Sequence, residues 1–402
     1  MFVFSVIIGL LAALGYASPL LIPHINSDQN DNSTTFKYAA LGDSFASGIG
    51  AGLWVPDDEN NTIDGRNNIC ARMTKSYPYY VKESFSERVL TEFDFIACSG
   101  DVLDDIDDQV TKVNNTKKDF VSLSISGNDF GFGDVVRYCV YPFKGMTDAP
   151  SDFQKACDDR LSQAEAKIGD ASIWARYREQ IQLIQDKILL PSPTGHLYIT
   201  GYARFFSPEG RDGDECDRKN FFSFCQWDIP CKWVFPLKMR WATRQKMNEL
   251  VLEVNARIQA EVIEPLGGNS SGLHFIDVDP NFEGRRFCEP GKTIWGDNDG
   301  DVWFHHLFSE LEELGEWFGP ASPGAQLVAN GTPQAKGMSL QELLSQTQPG
   351  GTPVDDIDLR WFWDKFQQSS VFHPKKYAHQ VTAGNITARM AEDSFFSGVF
   401  RK

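Results

Sequence analysis

Apolar positions along the chain fall into two rhythms that alternate. Short dense runs occur at "FKYAALG" (36–42), "EFDFIAC" (92–98), "DFVSLSIS" (119–126), "HLYITGYARFF" (196–206) and "GLHFIDVD" (272–279). Runs of this length, bounded by small and polar residues, read as buried strands. Between them the apolar spacing lengthens to the helical period. It predicts helices over "SYPYYVKESFSERVL" (76–90), Asp159 to Leu189, "RQKMNELVLEVNARIQAEVI" (244–263) and "PKKYAHQVTAGNITARMAED" (374–393). Strands that take turns with helices imply crossover connections, hence a parallel sheet covered on both faces. The expected class is α/β: a three-layer α/β/α sandwich around a central parallel sheet of five strands.

Two stretches break the alternation. Pro208 to Pro236 is rich in Cys and aromatics, and Asn281 to Asp364 in Gly, Pro and Trp. Both read as irregular insertions, at about 208–236 and 281–364, within a single domain spanning 36–402. Long loops of this kind often wall a substrate site. No internal repeat or low-complexity tract is visible. The chain opens with "MFVFSVIIGLLAALGYASP", whose apolar run stops at Gly15-Tyr16-Ala17. Small residues there suit signal peptidase, so residues 1–17 are expected to be a signal peptide and 18–35 a flexible lead-in. The run is short for a membrane anchor, and no second apolar span of about 20 residues follows. The expectation is a secreted, extracellular protein with no stable membrane anchor.

Composition sharpens this. Apolar residues make up 42 % of the 402, enough for a sizeable core, and the net charge is −17. That charge argues against nucleic acid, whose phosphates need basic patches. It allows a neutral lipid or glycan. Sequons begin at Asn32, Asn60, Asn114, Asn269, Asn330 and Asn385, as in a glycoprotein. The cysteines number eight: Cys70, Cys98, Cys139, Cys157, Cys216, Cys225, Cys231 and Cys288. An even count in a secreted chain reads as disulfides. Order along the chain favours Cys70–Cys98 and Cys139–Cys157, with Cys225–Cys231 and Cys216–Cys288 completing the set. No CxxC pair or clustered Cys/His spacing supports a zinc site, so no metal is expected. Monomer is the default state.

The chemistry centres on "LGDSFASGIG", where the first strand run ends in a turn of small residues around Ser44. A dinucleotide fingerprint needs a third glycine where Leu53 stands. A phosphate loop needs a lysine that does not follow, and G-x-S-x-G needs a glycine in place of Ala46. Three later segments supply partners. "CSGD" puts Gly100 after the second strand, "SGNDF" puts Asn128 after the third, and "SSVFHP" puts His373 before the last helix. In a parallel α/β sheet, loops after strand C-termini gather at one edge, where ligands bind. Ser, Gly, Asn and His can meet there.

These four segments, in this order and strand context, resemble the blocks of the SGNH hydrolases, the GDSL-type esterases and lipases. "CARMTKSYP", "YITGYARFF" and "FEGRRFCEP" are similar to stretches of secreted actinobacterial and fungal members. The resemblance runs in outline from Phe36 to Ala391. It implies a flavodoxin-like fold and a serine ester hydrolase working through an acyl-enzyme, without metal or organic cofactor. Ser44 would be the nucleophile and His373 the base. The Ser44 and Gly100 N–H groups and the Asn128 amide would form the oxyanion hole. Its substrate would be a carboxylic ester of a lipid or an acylated glycan. The family's acid stands three residues before the histidine, and here that position is Ser370. The Ser370 carbonyl is the first candidate to orient the imidazole and Asp364 the second, so a dyad is expected ahead of a triad. Arg285 stands where the subgroup often has histidine.

Other readings attach to the neighbours. Asp43 suits a turn-stabilising cap, and Asp129 a brace for its loop. His305 and His306 are alternative bases without the His-Pro-helix context, and His379 inside the closing helix reads as structural. "RWFWDKF" could line a pocket or pack a core. The missing acid motivates a second hypothesis: a weak or inactive extracellular glycoprotein that binds lipid or carbohydrate on the same fold.

Overall fold

The computed structural model describes residues 35–52, 55, 70–140, 153–218, 238–292, 299–305, 372–393 and 395–396. Its centre is a five-stranded sheet of β1 (Phe36–Gly42), β2 (Leu90–Phe95), β3 (Phe120–Ser124), β4 (His196–Thr200) and β5 (Leu273–Ile276). The order is β2-β1-β3-β4-β5, and every neighbouring pair is parallel. This is the doubly wound order of flavodoxin-like folds, in which the winding reverses beside β1. The central strands are apolar on both faces. Tyr38, Ala39, Leu41, Val121, Leu123, Leu197 and Ile199 are all buried. Tyr38 stacks between Phe93 and Phe120 of the flanking strands. A sheet so buried on both sides needs helices on both sides.

Those helices are α1 (Ser44–Ser47), α2 (Tyr77–Glu83), α3 (Ile106–Lys112), α4 (Phe132–Cys139), α5 (Phe153–Ile168), α6 (Ala171–Lys187), α7 (Trp241–Arg257) and α8 (Lys376–Glu392). Helices α2 and α8 pack on each other, whereas α3, α5, α6 and α7 form a second connected group. Right-handed crossovers place the two groups on opposite faces, because the chain moves along the sheet in opposite directions on either side of β1.

The expected class and strand number hold, and the boundaries shift for local reasons. The helix expected from Asp159 to Leu189 is two helices, broken at Gly169–Asp170, where Asp170 caps α6 by accepting from the Ser172 N–H at 2.8 Å. The helix expected to reach residue 90 ends at Glu83. Helix α4, which carries Cys139, was not anticipated. The run 196–206 is a strand only to Thr200, and Phe206 rejoins the sheet direction by a bridge to Phe287. Helix α7 continues into a π-helical turn, Ile258–Ile263. Disulfides join Cys70–Cys98, Cys139–Cys157 and Cys216–Cys288. Cys225 and Cys231 lie outside the described residues, as do the proposed signal peptide, Ser370, Asp364, His306 and the Trp-rich "RWFWDKF". So do most of the 208–236 and 281–364 insertions.

Candidate active site

Strand β1 ends at Gly42, whose φ is +131°. A Cβ there would sit 2.1 Å from the Ser124 carbonyl oxygen, so only glycine lets the turn lie this close to β3. Gln109 of α3 clamps the same residue, accepting from the Gly42 N–H and donating to its carbonyl, each at 2.8 Å. The Asp43 N–H donates to Ser124 O at 2.8 Å. The Asp43 carboxylate then caps α1, accepting from the Phe45 N–H at 2.9 Å. Asp43 is therefore the turn-stabilising cap its type suggests. One helical turn later Gly48, at φ +76°, closes α1. Ser44 stands at the first helical position, 7 % exposed, with its hydroxyl at the edge where the sheet's winding reverses.

His373 reaches that hydroxyl from the other end of the chain. Its Nε2 lies 2.6 Å from Ser44 Oγ. Two backbone bonds to His305 hold its segment. The His305 N–H donates to His373 O, and the Phe372 N–H donates to His305 O, both at 2.9 Å. The Lys375 N–H adds a bond to Trp303 O at 2.8 Å. Phe372 takes a positive φ of +66° and is buried against Phe205, Phe206 and Phe287. That apolar anchor offsets the strain of a left-handed non-glycine residue. The Phe45 ring backs the imidazole at 4.8 Å between centroids. His305, weighed as a rival base, thus acts here through its backbone as a strap beside His373.

Gly100 and Asn128 come from the next two strand ends. The exit of β2 is pinned by Cys98, whose N–H donates to Gly42 O at 2.9 Å and whose sulfur bonds Cys70. Gly100 follows at φ +95°, and nothing lies within 4 Å of where its Cβ would be. The Asn128 amide donates to the Asp101 carbonyl at 2.8 Å, which uses one of its two N–H groups. Asp129 accepts from the Leu103 N–H and so braces this loop against the one after β2. Among the described residues, neither the Ser44 nor the Gly100 N–H donates to a protein acceptor.

One residue of this network was given no role from the sequence. The Tyr202 hydroxyl, fully buried just beyond β4, accepts from the Gly127 N–H at 3.0 Å and donates to Asp43 Oδ2 at 3.3 Å. Tyr202 was read as part of a strand and of the family-like stretch "YITGYARFF", without a role of its own, because no motif spacing marks a tyrosine that bonds across 159 residues. Electrostatics follow from burial. Desolvation lifts the Asp43 carboxyl to about 7 despite the bond it accepts from Phe45. It lifts Asp101 and Asp129 to about 6 each.

His379 is structural, as its place in α8 suggested. It is buried, its Nδ1 accepts from the Tyr77 N–H at 3.2 Å, and desolvation lowers it to about 3. A second imidazole group lies at the opposite edge of the sheet. His196 Nδ1 and His274 Nε2 are 3.0 Å apart, with Asp393 Oδ2 3.5 Å from the former. These three are metal-ligating residue types whose ligand atoms lie close together. The ring centroids are 5.3 Å apart, which is the N···N distance plus two ring radii. The two nitrogens therefore point straight at each other, as in an N–H···N hydrogen bond. A metal needs about 2.0–2.1 Å to each nitrogen and convergent lone pairs, which this arrangement does not offer. His274 Nδ1 bonds Asn269 Oδ1 at 2.9 Å, which fixes its tautomer.

No protein-family profile matches the chain. A lipase of Streptomyces rimosus is 32 % identical over 303 residues, which cover 75 % of this chain and 85 % of that one. A crystal structure of an extracellular lipase from Streptomyces rimosus aligns over 68 % of this chain and 88 % of its own, at 26 % identity and TM-score 0.47. A phospholipase A1 structure from Streptomyces albidoflavus aligns over 68 % and 87 %, at 24 % identity and TM-score 0.47. Among the described residues no helix is long and apolar enough to cross a membrane.

Proposed function

We propose a serine acyl-transfer route for this chain, which belongs to the SGNH hydrolases, the GDSL-type esterases and lipases, and is a carboxylic ester hydrolase. Ser44 Oγ attacks the ester carbonyl carbon while His373 Nε2 takes the hydroxyl proton. The negative charge that develops on the carbonyl oxygen is met by the Ser44 and Gly100 N–H groups and by the Asn128 amide N–H not spent on Asp101. As the tetrahedral carbon collapses, the ester C–O bond breaks. His373 returns the proton to the leaving oxygen, which departs as the alcohol. A water then gives its proton to His373 and attacks the acyl-Ser44 carbonyl. The acid departs, and Ser44 Oγ recovers its proton. The observation that carries this reading is the 2.6 Å contact between His373 Nε2 and Ser44 Oγ, within reach for direct proton transfer.

Two finer assignments extend the reading. The Ser370 carbonyl, ahead of Asp364, orients the imidazole, which makes the machinery a dyad. Asp364→Asn then leaves the pH–rate profile unchanged, and a displaced profile overturns that choice. The protein is secreted after loss of residues 1–17, stays free of a membrane anchor, acts as a monomer, and hydrolyses esters of lipids or acylated glycans. Purified protein offered p-nitrophenyl acetate, butyrate and palmitate, beside Ser44→Ala, tests the reaction and ranks the acyl lengths. Hydrolysis by the wild type and none by the variant is expected. Equal hydrolysis by both overturns the assignment of Ser44.

A further inference from the structure

We propose that Tyr202 is a positioning residue for ester hydrolysis: its hydroxyl ties the loop that carries Asn128 to the turn that carries Ser44. The inference rests on the reaction above and goes beyond it, because Tyr202 touches neither substrate nor reacting atoms.

The geometry has three parts. First, the hydroxyl bridges two loops from different strands. It accepts from the Gly127 N–H, one residue before Asn128, and donates to Asp43, one residue before Ser44. Both partners are immediate chain neighbours of the groups whose separation sets the fit of a tetrahedral intermediate. Second, Tyr202 is itself anchored from outside the site. Asn255 of α7 accepts from the Tyr202 N–H at 2.8 Å and donates to its carbonyl at 2.7 Å. The tie therefore refers both loops to a rigid helix rather than only to each other. Third, the Tyr202 ring meets the Phe45 ring edge-on at 5.1 Å, and Phe45 backs the His373 imidazole. One side chain thus touches the supports of the serine, the amide and the histidine.

The bridge is also hard to replace. Tyr202 and Asp43 are both buried, so water cannot take over the carboxylate at no cost if the hydroxyl is removed. The loops must then move to find other partners. Displacements well under a hydrogen-bond length at such a site lower turnover by one to two orders of magnitude.

The test is Tyr202→Phe, which deletes only the oxygen. Rates are counted per serine titrated with a fluorophosphonate, so unfolded chains do not enter. The expected result is a kcat for p-nitrophenyl butyrate lower by about 10- to 100-fold with KM within about twofold. Affinity for a boronic acid that mimics the tetrahedral state falls in step with kcat. A double-mutant cycle with Asn128→Ala separates positioning from general support. If Tyr202 works by placing the amide, its loss costs at most about twofold once the amide is gone. Losses that multiply in the double variant, or a kcat for Tyr202→Phe within twofold of wild type, overturn the proposal. Absence of Ser44-dependent turnover in the wild type overturns the reaction itself, an outcome distinct from either.

Discussion

The two ends of the sheet both gather titratable side chains, and burial treats them in opposite ways. At the C-terminal edge the buried groups around Ser44 are carboxyls: Asp43 is lifted to about 7, Asp101 and Asp129 to about 6. At the N-terminal edge they are imidazoles: His274 is lowered to about 4 and His196 shifts the same way. In both cases desolvation, the largest cause, favours the neutral form. The edges differ in what the neutral form faces. The imidazoles face each other and His274 faces Asn269, so their hydrogen bonds go to protein partners, except at His196 Nε2, which has none among the described residues. His373 points at a hydroxyl beside the Ser44 and Gly100 N–H groups, which among the described residues donate to no protein acceptor. A histidine becomes a catalytic candidate through its partner and its edge of the sheet, not through burial or a displaced proton affinity alone.

The largest test of that contrast is on turnover. Ser44→Ala or His373→Ala lowers kcat on the order of 10⁴-fold or more, whereas His274→Ala leaves it within about twofold, as measured with p-nitrophenyl butyrate. A large loss of kcat in the His274 variant would break the distinction between the edges. Next comes the pin behind Gly100. Replacing Cys70 and Cys98 by Ser opens a link that spans 28 residues. It costs about 3 kcal/mol of stability in urea denaturation.

The third test uses pH at the C-terminal edge. The Asp43 carboxyl is raised to about 7 in the folded chain, against about 3.9 unfolded. Its contribution to stability is fully present below the unfolded value and is lost as pH rises through the folded one. Asp43→Asn keeps a capping oxygen and cannot ionise. Relative to wild type it gains on the order of 4 kcal/mol between pH 4 and pH 8, read from denaturation midpoints. The smallest effect belongs to the N-terminal edge and has the opposite slope. His274 is lowered to about 4, against about 6.5 unfolded. Its contribution is present above the unfolded value and is lost as pH falls through the folded one. His274→Asn therefore destabilises most at pH 7, by about 1 kcal/mol, and the gap to wild type closes and then reverses toward pH 4. A destabilisation that grows on acidification would overturn the assignment at this edge.

Much of the architecture was legible because strands buried on both faces leave a plain signal. "FKYAALG" and "DFVSLSIS" are β1 and β3 almost to the residue, since nearly every position is apolar or small. The long helix was misread across Gly169–Asp170, because the apolar spacing of α5 and α6 stays nearly in phase through the break. Ser44 and His373 were singled out by four segments taken together, a strand-end turn, the Gly100 and Asn128 loops and a His-Pro before a helix, and not by any one of them. Tyr202, Gln109 and the His305 strap were not. Each acts through one bond to a residue distant in sequence, and nothing in a neighbouring stretch records which backbone group that bond will meet.

The strap that holds His373 also sets when the enzyme can exist. Ser44 lies in the first strand-to-helix turn, and the histidine proposed as its base arrives 329 residues later, beside the bridge from Phe304 to Pro374 and before α8. A nascent chain can lay down β1 to β5 and still lack a base. Competence then waits for α8 to dock on α2, a contact made only after all five strands have been synthesised. Catalytic power is thus deferred until after the sheet is complete. A ribosome-bound or prematurely ended chain would carry the serine without the means to fire it.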